Sequence, residues 1–406
     1  MGDSTGLGKN FKWKVTGAVV ISIVGMSLAT PPFFKAIMNK KLDEKVAQLQ
    51  KEGYQISLIE DKSGYLTTDK IYRVALAVTP DIRLVEKVEV KFYNLPATNV
   101  EMIGKVEKVE GNIPPEVASL LEQQGKIELI TPNFQYFTYR IYPVKGDQFY
   151  FSGSKGTLYY QNGTLKQEGT ISQIWYKSGD GLFSFTGLHL KSELTPDSRS
   201  NWINGSFNYK VGQATFQIAH FNFSQLATRR GEIYNGEAKL VGNSVSISSP
   251  HTSLYANQAQ LWLKAKNLYL SGEQLEDPIQ LLSQLDRRGF EIEGGGEIDS
   301  LKYNDQQLGR ATLALSISSK PVQNLFMTLA SLDFSPFKIK LTYKGSPAIT
   351  QLIFHPYHHF ANLFKREGNY LVMDFSFDGP NYTVSLNGKS YTPTQLMEEL
   401  ELPFNQ

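Results

Sequence analysis

The chain has 406 residues, and its 41 basic residues nearly balance 39 acidic ones, for a formal charge of +2. No segment beyond the flanks of the N-terminal apolar run concentrates positive charge, which argues against a nucleic-acid-binding stripe. The absence of cysteine excludes disulfides, cysteine nucleophiles and thiolate metal sites, while 41% hydrophobic content is enough for a sizeable core.

Lys9, Lys12 and Lys14 precede an uncharged run from Val15 to Thr30. As a helix that run spans roughly 27 Å with Trp13, close to the thickness of a bilayer core. The spacing predicts a cytoplasmic N-terminus at 1–14 and a single-pass transmembrane anchor at 15–32, oriented by the lysines. A cleaved signal peptide would share this pattern, and Ser27-Leu28-Ala29 is a passable cleavage site. The anchor is favoured because Pro31-Pro32 follows at once and an amphipathic helix continues from Phe33 to Lys51. Its apolar positions are Ile37, Leu42, Val46 and Leu49.

Strands are expected at Tyr54–Glu60, Lys70–Val78 and Lys87–Tyr93, where apolar residues alternate. Pro114-Pro115 opens a short helix that Gly125 stops, and the softest boundary is expected between 110 and 126. The segments are therefore 33–125, a membrane-proximal helix with the first strands, and 126–406, the main β body. Asn162-Gly163, Asn204-Gly205, Asn235-Gly236 and Asn387-Gly388 fall between strand-like runs and are expected as hairpin turns. Helices are expected at Asp277–Gly289, Val322–Leu332 and Thr394–Leu400. Later strands are expected at Phe337–Tyr343, Tyr370–Phe377 and Tyr382–Leu386. The fold class is mainly β (α+β): an N-terminal transmembrane helix, then an elongated, curled antiparallel sheet built from hairpins with a few packing helices.

One pattern recurs. Phe183-x-Phe185-x-x-Leu188-x-Leu190 is echoed by Phe216-x-Ile218-x-x-Phe221-x-Phe223, and more loosely by Leu261-x-Leu263 with Leu268-x-Leu270. Alternation holds, slips by one residue and resumes. A β-bulge or bend does this, keeping apolar side chains on one face while the strand turns. Chance similarity between alternating strands would also produce such matches.

The chain shows little that could carry catalysis. His355-Pro-Tyr-His358-His359 lacks zinc-ligand spacing and an acidic partner, so no metal site is assigned. No G-x-S-x-G elbow occurs. Gly294-Gly295-Gly296 lacks the lysine of a phosphate loop and reads as a flexible connector or a close backbone crossing. Glu60-Asp61-Lys62 reads as an exposed turn, and the carboxylates at Glu398, Glu399 and Glu401 as a solvated helix face. No catalytic residue, metal ligand or cofactor is assigned.

The layout resembles the YdgA-like family of bacterial envelope proteins. The likeness lies in the short N-terminus, single anchor and basic amphipathic helix, followed by Gly64-Tyr65-Leu66-Thr67-Thr68. Tyr382-Thr-Val-Ser-Leu-Asn-Gly-Lys389 is similar to that family's closing strand. The resemblance implies a bacterial inner-membrane protein with its bulk in the periplasm and no assigned chemistry. A more distant likeness, in sheet style alone, is to AsmA-like proteins.

The expected function is non-enzymatic. A lipid or another amphipathic molecule would be held or sensed on an apolar sheet groove formed by Phe183, Phe185, Leu188, Leu190, Phe216, Ile218, Phe221, Phe223, Leu261 and Leu263. The alternative is a scaffold or partner-binding component of an envelope complex, in which the same faces pack against helices. The partners would be the membrane, lipid and envelope proteins, with no nucleic acid.

Overall fold

Alternating apolar and polar residues, with valine, isoleucine and aromatics prominent, dictate extended chain through most of this protein. A computed structural model describes residues 35–396, apart from 37, 38, 41, 45, 48–49, 51–53, 65–66, 80–81, 95–98, 132–135, 162–163, 270–288, 323–327, 329–330, 332, 355–362 and 393. The chain divides into two compact units, Met1–Pro196 and Asp197–Gln406. Both are mainly antiparallel sheet.

In the first unit, the described residues between 35 and 50 are helical. They are followed by β1 (Gln55–Asp61), β2 (Thr67–Thr79), β3 (Ile82–Tyr93), β4 (Val100–Gly111), α1 (Pro115–Gln124), β5 (Lys126–Thr131) and β6 (Tyr136–Ile141). Next come β7 (Val144–Lys145), β8 (Phe149–Phe151), β9 (Ser154–Gln161), β10 (Thr164–Ser178) and β11 (Gly181–Leu194). Each of β1 to β5 pairs antiparallel with the next, then β6 with β9, β9 with β10 and β10 with β11.

Leu42 of the N-terminal helical segment closes a core of Tyr72, Val74, Val88, Val90, Met102, Leu129, Phe137 and Leu158. The expected helix at Pro114–Gly125 is α1, which packs on β4. The Glu122 carboxylate accepts the Val109 N–H at 2.8 Å, tying this helix to the strand. Glu60 and Asp61 end β1 and so are strand rather than turn residues.

The second unit runs β12 (Ser198–Val211), β13 (Ala214–Arg230), β14 (Ile233–Ser248), β15 (Ser253–Tyr269), β16 (Phe290–Tyr303), β17 (Gln306–Ser319) and β18 (Phe337–Gly345). Then follow α2 (Pro347–Phe354), β19 (Lys365–Glu367), β20 (Tyr370–Asp378), β21 (Thr383–Leu386) and β22 (Lys389–Tyr391). Successive strands pair from β12 to β18, and β20 then adds to β18. β21 and β22 complete the order, with β19 also on β20. In neither unit do the first and last strands pair with one another among the described residues.

Helix α2 was not legible as a helix beforehand, although Ser346-Pro347 is a start signal, with a capping hydroxyl and proline in the first turn. The Ser346 Oγ accepts the Ile349 N–H at 3.4 Å. Buried Ile349 joins Tyr343, Leu363 and Met373 in a core over β15–β18.

Of the expected hairpin turns, Asn162-Gly163 lies outside the described residues, between paired neighbours, and Asn387-Gly388 is described. Gln161 pairs with Thr164 across residues 162–163. Asn387 and Gly388 both take positive φ, +53° and +83°, between β21 and β22. The other two lie inside strands, a correction with a clear cause. Asn204-Gly205 precedes a bulge in which Ser206 of β12 opposes Ala219 and His220 of β13. Asn235 opposes Lys266 and Asn267 of β15 in the same way. A bulge needs the same left-handed tolerance and side-chain capping as a turn. Here His220 (φ +51°) and Asn267 (φ +58°) take the left-handed conformation. Their N–H groups donate to Ser206 Oγ at 3.1 Å and Asn235 Oδ1 at 3.0 Å.

Among the described residues no helix is long and apolar enough to cross a membrane. The anchor expected at 15–32 lies outside them, as do the helix expected at 277–289 and most of those expected at 322–332 and 394–400.

Candidate functional site

The candidate residues fall into both compact units. Phe183, Phe185, Leu188 and Leu190 lie on β11 in the first unit, opposite Tyr176, Ile174, Ile171 and Gly169 of β10. Leu188 is buried and Phe183 exposed. The phase slip between them falls at Gly187, whose φ is +61°. The pairing with β10 keeps one register on both sides, so this is a kink and not an inserted residue.

The other six residues belong to the second unit and are brought together on one face. The bulge at Ala219–His220 returns Phe221 and Phe223 to the face that Phe216 and Ile218 occupy. A Cβ built on Gly242 would meet both Ile218 and Val245 at 2.9 Å, which places that pair beside Gly242, the partner of Phe221. Phe223 pairs with Leu240, and Leu240 with Leu261. This row continues through Gly296 and Leu313 to Tyr343. The next row holds Ala238, Leu263, Gly294, Leu315 and Leu341.

Sequence reasoning missed the partners on β16 and β17. Gly294-Gly295-Gly296 is neither a connector nor a phosphate loop but the middle of β16. Its two outer glycines leave a trough between Leu261 and Leu263 on one side and Leu313 and Leu315 on the other. The middle glycine faces the opposite way, where a Cβ would press on the Trp262 ring at 2.9 Å. The close-crossing alternative is therefore the correct one. The alternation of Leu313 and Leu315 with the small residues Thr312, Ala314 and Ser316 was the available signal.

Exposure shows how this face is used. On one side it is sealed by α2, Leu363 and Phe364. On another it meets a small core of Phe290, Phe337 and Leu268. Between those cores Leu261 is 60% exposed, Leu263 52%, Leu313 45% and Leu315 39%. Isolated exposed leucines are ordinary, but four in two adjoining rows around a glycine trough form a patch.

The opposite face carries charge. Glu237, Lys264 and Glu293 form one row there, and Lys266 pairs with Glu291 at 2.9 Å. Arg310 binds Glu297 and, at 3.6 Å, Asp299. These are exposed pairs, and solvent and salt screen them. Their hydrogen-bonded partners hold the Glu291 carboxyl down and the Lys266 ammonium up.

Among the described residues no group of three or more histidines and carboxylates could hold a metal ion. His355, His358 and His359 lie outside them. The strongly shifted carboxyl is elsewhere. Glu86, in the first unit, is pushed up to about 7 by burial, and its Oε2 has no hydrogen-bond partner.

Among solved structures, the chain is similar to OmpT, an outer membrane protein of Vibrio cholerae, at 12% identity over 66% of this chain and 84% of that one, with a TM-score of 0.20. It is also similar to OpdK of Pseudomonas aeruginosa, at 8% identity over 83% and 92%, with a TM-score of 0.16. At such scores the backbones do not superpose, and nothing is carried over from either. No curated protein matches. Residues 104–319 match the family model described as bacterial protein of unknown function (DUF945). That span covers more than half of the 406 residues, from β4 through β17, and the chain belongs to the DUF945 family.

Proposed function

We propose that this protein is a non-enzymatic envelope protein that holds or senses an amphipathic, lipid-like molecule on the apolar face of its second unit. The carrying observation is the patch of Leu261, Leu263, Leu313 and Leu315, open to solvent around the Gly294–Gly296 trough. The uncharged run at 15–30 and the lysines before it support a membrane anchor with the bulk of the chain in the periplasm. The layout at both ends supports the finer YdgA-like assignment.

Covering what remains exposed of the four leucines contributes about 1 kcal/mol each. The sum of about 4 kcal/mol does no more than offset the freedom lost on association. The leucines alone therefore give weak capture, and a retained ligand needs further contact.

The test is mass spectrometry of the protein purified from bacterial membranes under mild detergent. Stoichiometric lipid, lost from a Leu261→Asp, Leu313→Asp double variant that still folds, is the expected result. A lipid-free protein that crosslinks in cells to one abundant partner would overturn it and support the scaffold alternative.

A further inference from the structure

The apolar face of β12–β17 carries two charged side chains among its described residues, and both are arginines at the same end. Register sets Arg199 in line with Ala227, Gly236, Ala265, Ile292 and Ile317. The next row outward holds Arg229, Tyr234 and Leu268. The Arg229 guanidinium lies 5.4 Å from the Tyr234 ring centroid. Glu237, Lys239, Lys264, Glu293 and Glu297 alternate onto the other face. No carboxylate of these strands shares the arginines' face among the described residues. Burial lowers the Arg199 guanidinium from its usual range, though not enough to discharge an arginine.

The geometry matches an amphiphile. A two-residue step along a strand is about 6.8 Å. Counted along the strands from the Arg199 row, Leu263 and Leu315 lie one step away, Leu261 and Leu313 two, and Phe221 three. β15 and β17 lie two and four strands, about 10 and 19 Å, to the side of Arg229 on β13, so a chain leaving the arginines crosses the face obliquely. The resulting oblique path from Arg229 to Leu263 and Leu261, roughly 17–23 Å, is comparable with the ~15 Å that one leaflet contributes to a bilayer core plus the phosphate and glycerol that precede it. From β12 to β17 the face is about 24 Å wide, room for more than one chain. Small side chains at Ala227, Gly236 and Ala265 leave the ground beside Arg199 low.

We propose that this face holds an anionic diacyl phospholipid, its phosphate at Arg199 and Arg229 and its acyl chains along the Leu263–Leu261 and Leu315–Leu313 lane. The guanidinium fork suits phosphate oxygens, and a charge-assisted contact supplies the affinity that the leucines lack. The inference rests on the apolar face being a ligand surface, and the experiment separates the two claims.

The full chain is incubated with vesicles containing fluorescent phosphatidylglycerol, or diacylglycerol with the same chains and label but no phosphate, and is then repurified. The expected result is at least about tenfold more phosphatidylglycerol retained. An Arg199→Gln, Arg229→Gln variant should lower phosphatidylglycerol to the diacylglycerol level, while Leu261→Asp, Leu313→Asp should lose both. Should the double glutamine variant fail to fold, Arg229→Gln alone should still lower the ratio. Equal retention of the two lipids by the wild type would overturn the headgroup assignment and leave the apolar surface standing. A free fatty acid of the same chain that displaces phosphatidylglycerol would overturn the phospholipid assignment. Retention of none of these probes would overturn the surface itself.

Discussion

Leu261 of β15 and Leu313 of β17 stand on either side of Gly296, each in register with it and with no side chain between them. Both are largely exposed. A sheet that needed this row as core would place a branched residue at 296. The glycine instead leaves a trough lined by leucine on two strands.

The trough is open to substitution without loss of fold. Leu261→Asp with Leu313→Asp should change stability by less than about 1 kcal/mol, because both sites already face solvent. Thermal unfolding checks this, and a collapse of the transition would show that these leucines are core.

Neighbouring glycines should respond oppositely. At Gly295 a Cβ would meet the Leu313 carbonyl oxygen at 2.5 Å and the Trp262 ring at 2.9 Å. Gly295→Ala should therefore cost about 1–3 kcal/mol. At Gly296 the nearest atom is a Leu261 methyl at 3.0 Å, the free end of an exposed side chain that can swing aside. Gly296→Ala should be neutral or slightly stabilising, since it reduces the freedom of the unfolded chain. Urea titration of both variants decides, and equal midpoints would contradict the trough geometry.

Glu86 should make stability fall as pH rises. Its folded pKa, pushed up to about 7 by burial, lies above the ordinary 4.5. Between those values the folded state keeps a proton that the unfolded state has lost. Stability is thus fully present below about pH 4.5, declines toward pH 7 and is flat above, a loss of about 3 kcal/mol. Glu86→Gln removes that dependence and should be the more stable protein at pH 8. Denaturant midpoints of both proteins at pH 5 and pH 8 test this, and parallel shifts would show that Glu86 does not titrate there.

Tyr343 anchors the α2 side of the face. Its hydroxyl lies 2.9 Å from Thr350 Oγ1, and its ring meets Phe354 and Phe364 edge-on at 5.5 and 5.6 Å. Tyr343→Phe should cost only about 1 kcal/mol, because Thr350 still donates to the Ser346 carbonyl at 2.9 Å. Tyr343→Ala should cost about 3–5 kcal/mol through the cavity it leaves. Calorimetry of the two variants would expose a hydroxyl-dominated role if the phenylalanine variant were the worse.

Alternation along Phe216–Phe223 and Leu261–Leu268 was enough to read strands, antiparallel pairing and one-residue phase slips, because the pleat has a period of two whatever the strand packs against. The slips at β13 and β15 are bulges, at Ala219-His220 and at the doubled polar pair Lys266-Asn267. α1 was equally legible from Pro114-Pro115 and Gly125, whose backbone constraints act locally. What local pattern could not decide was which strand lies beside which, and therefore what each apolar face meets. Asn204-Gly205 and Asn235-Gly236 read as turns because a bulge and a hairpin ask the same left-handed tolerance of the chain. Only the register of β12 with β13 and of β14 with β15 separates them. The glycine trough and the arginines three and four strands from it depend on strands up to about a hundred residues apart in sequence, so only tertiary pairing could bring them onto one face.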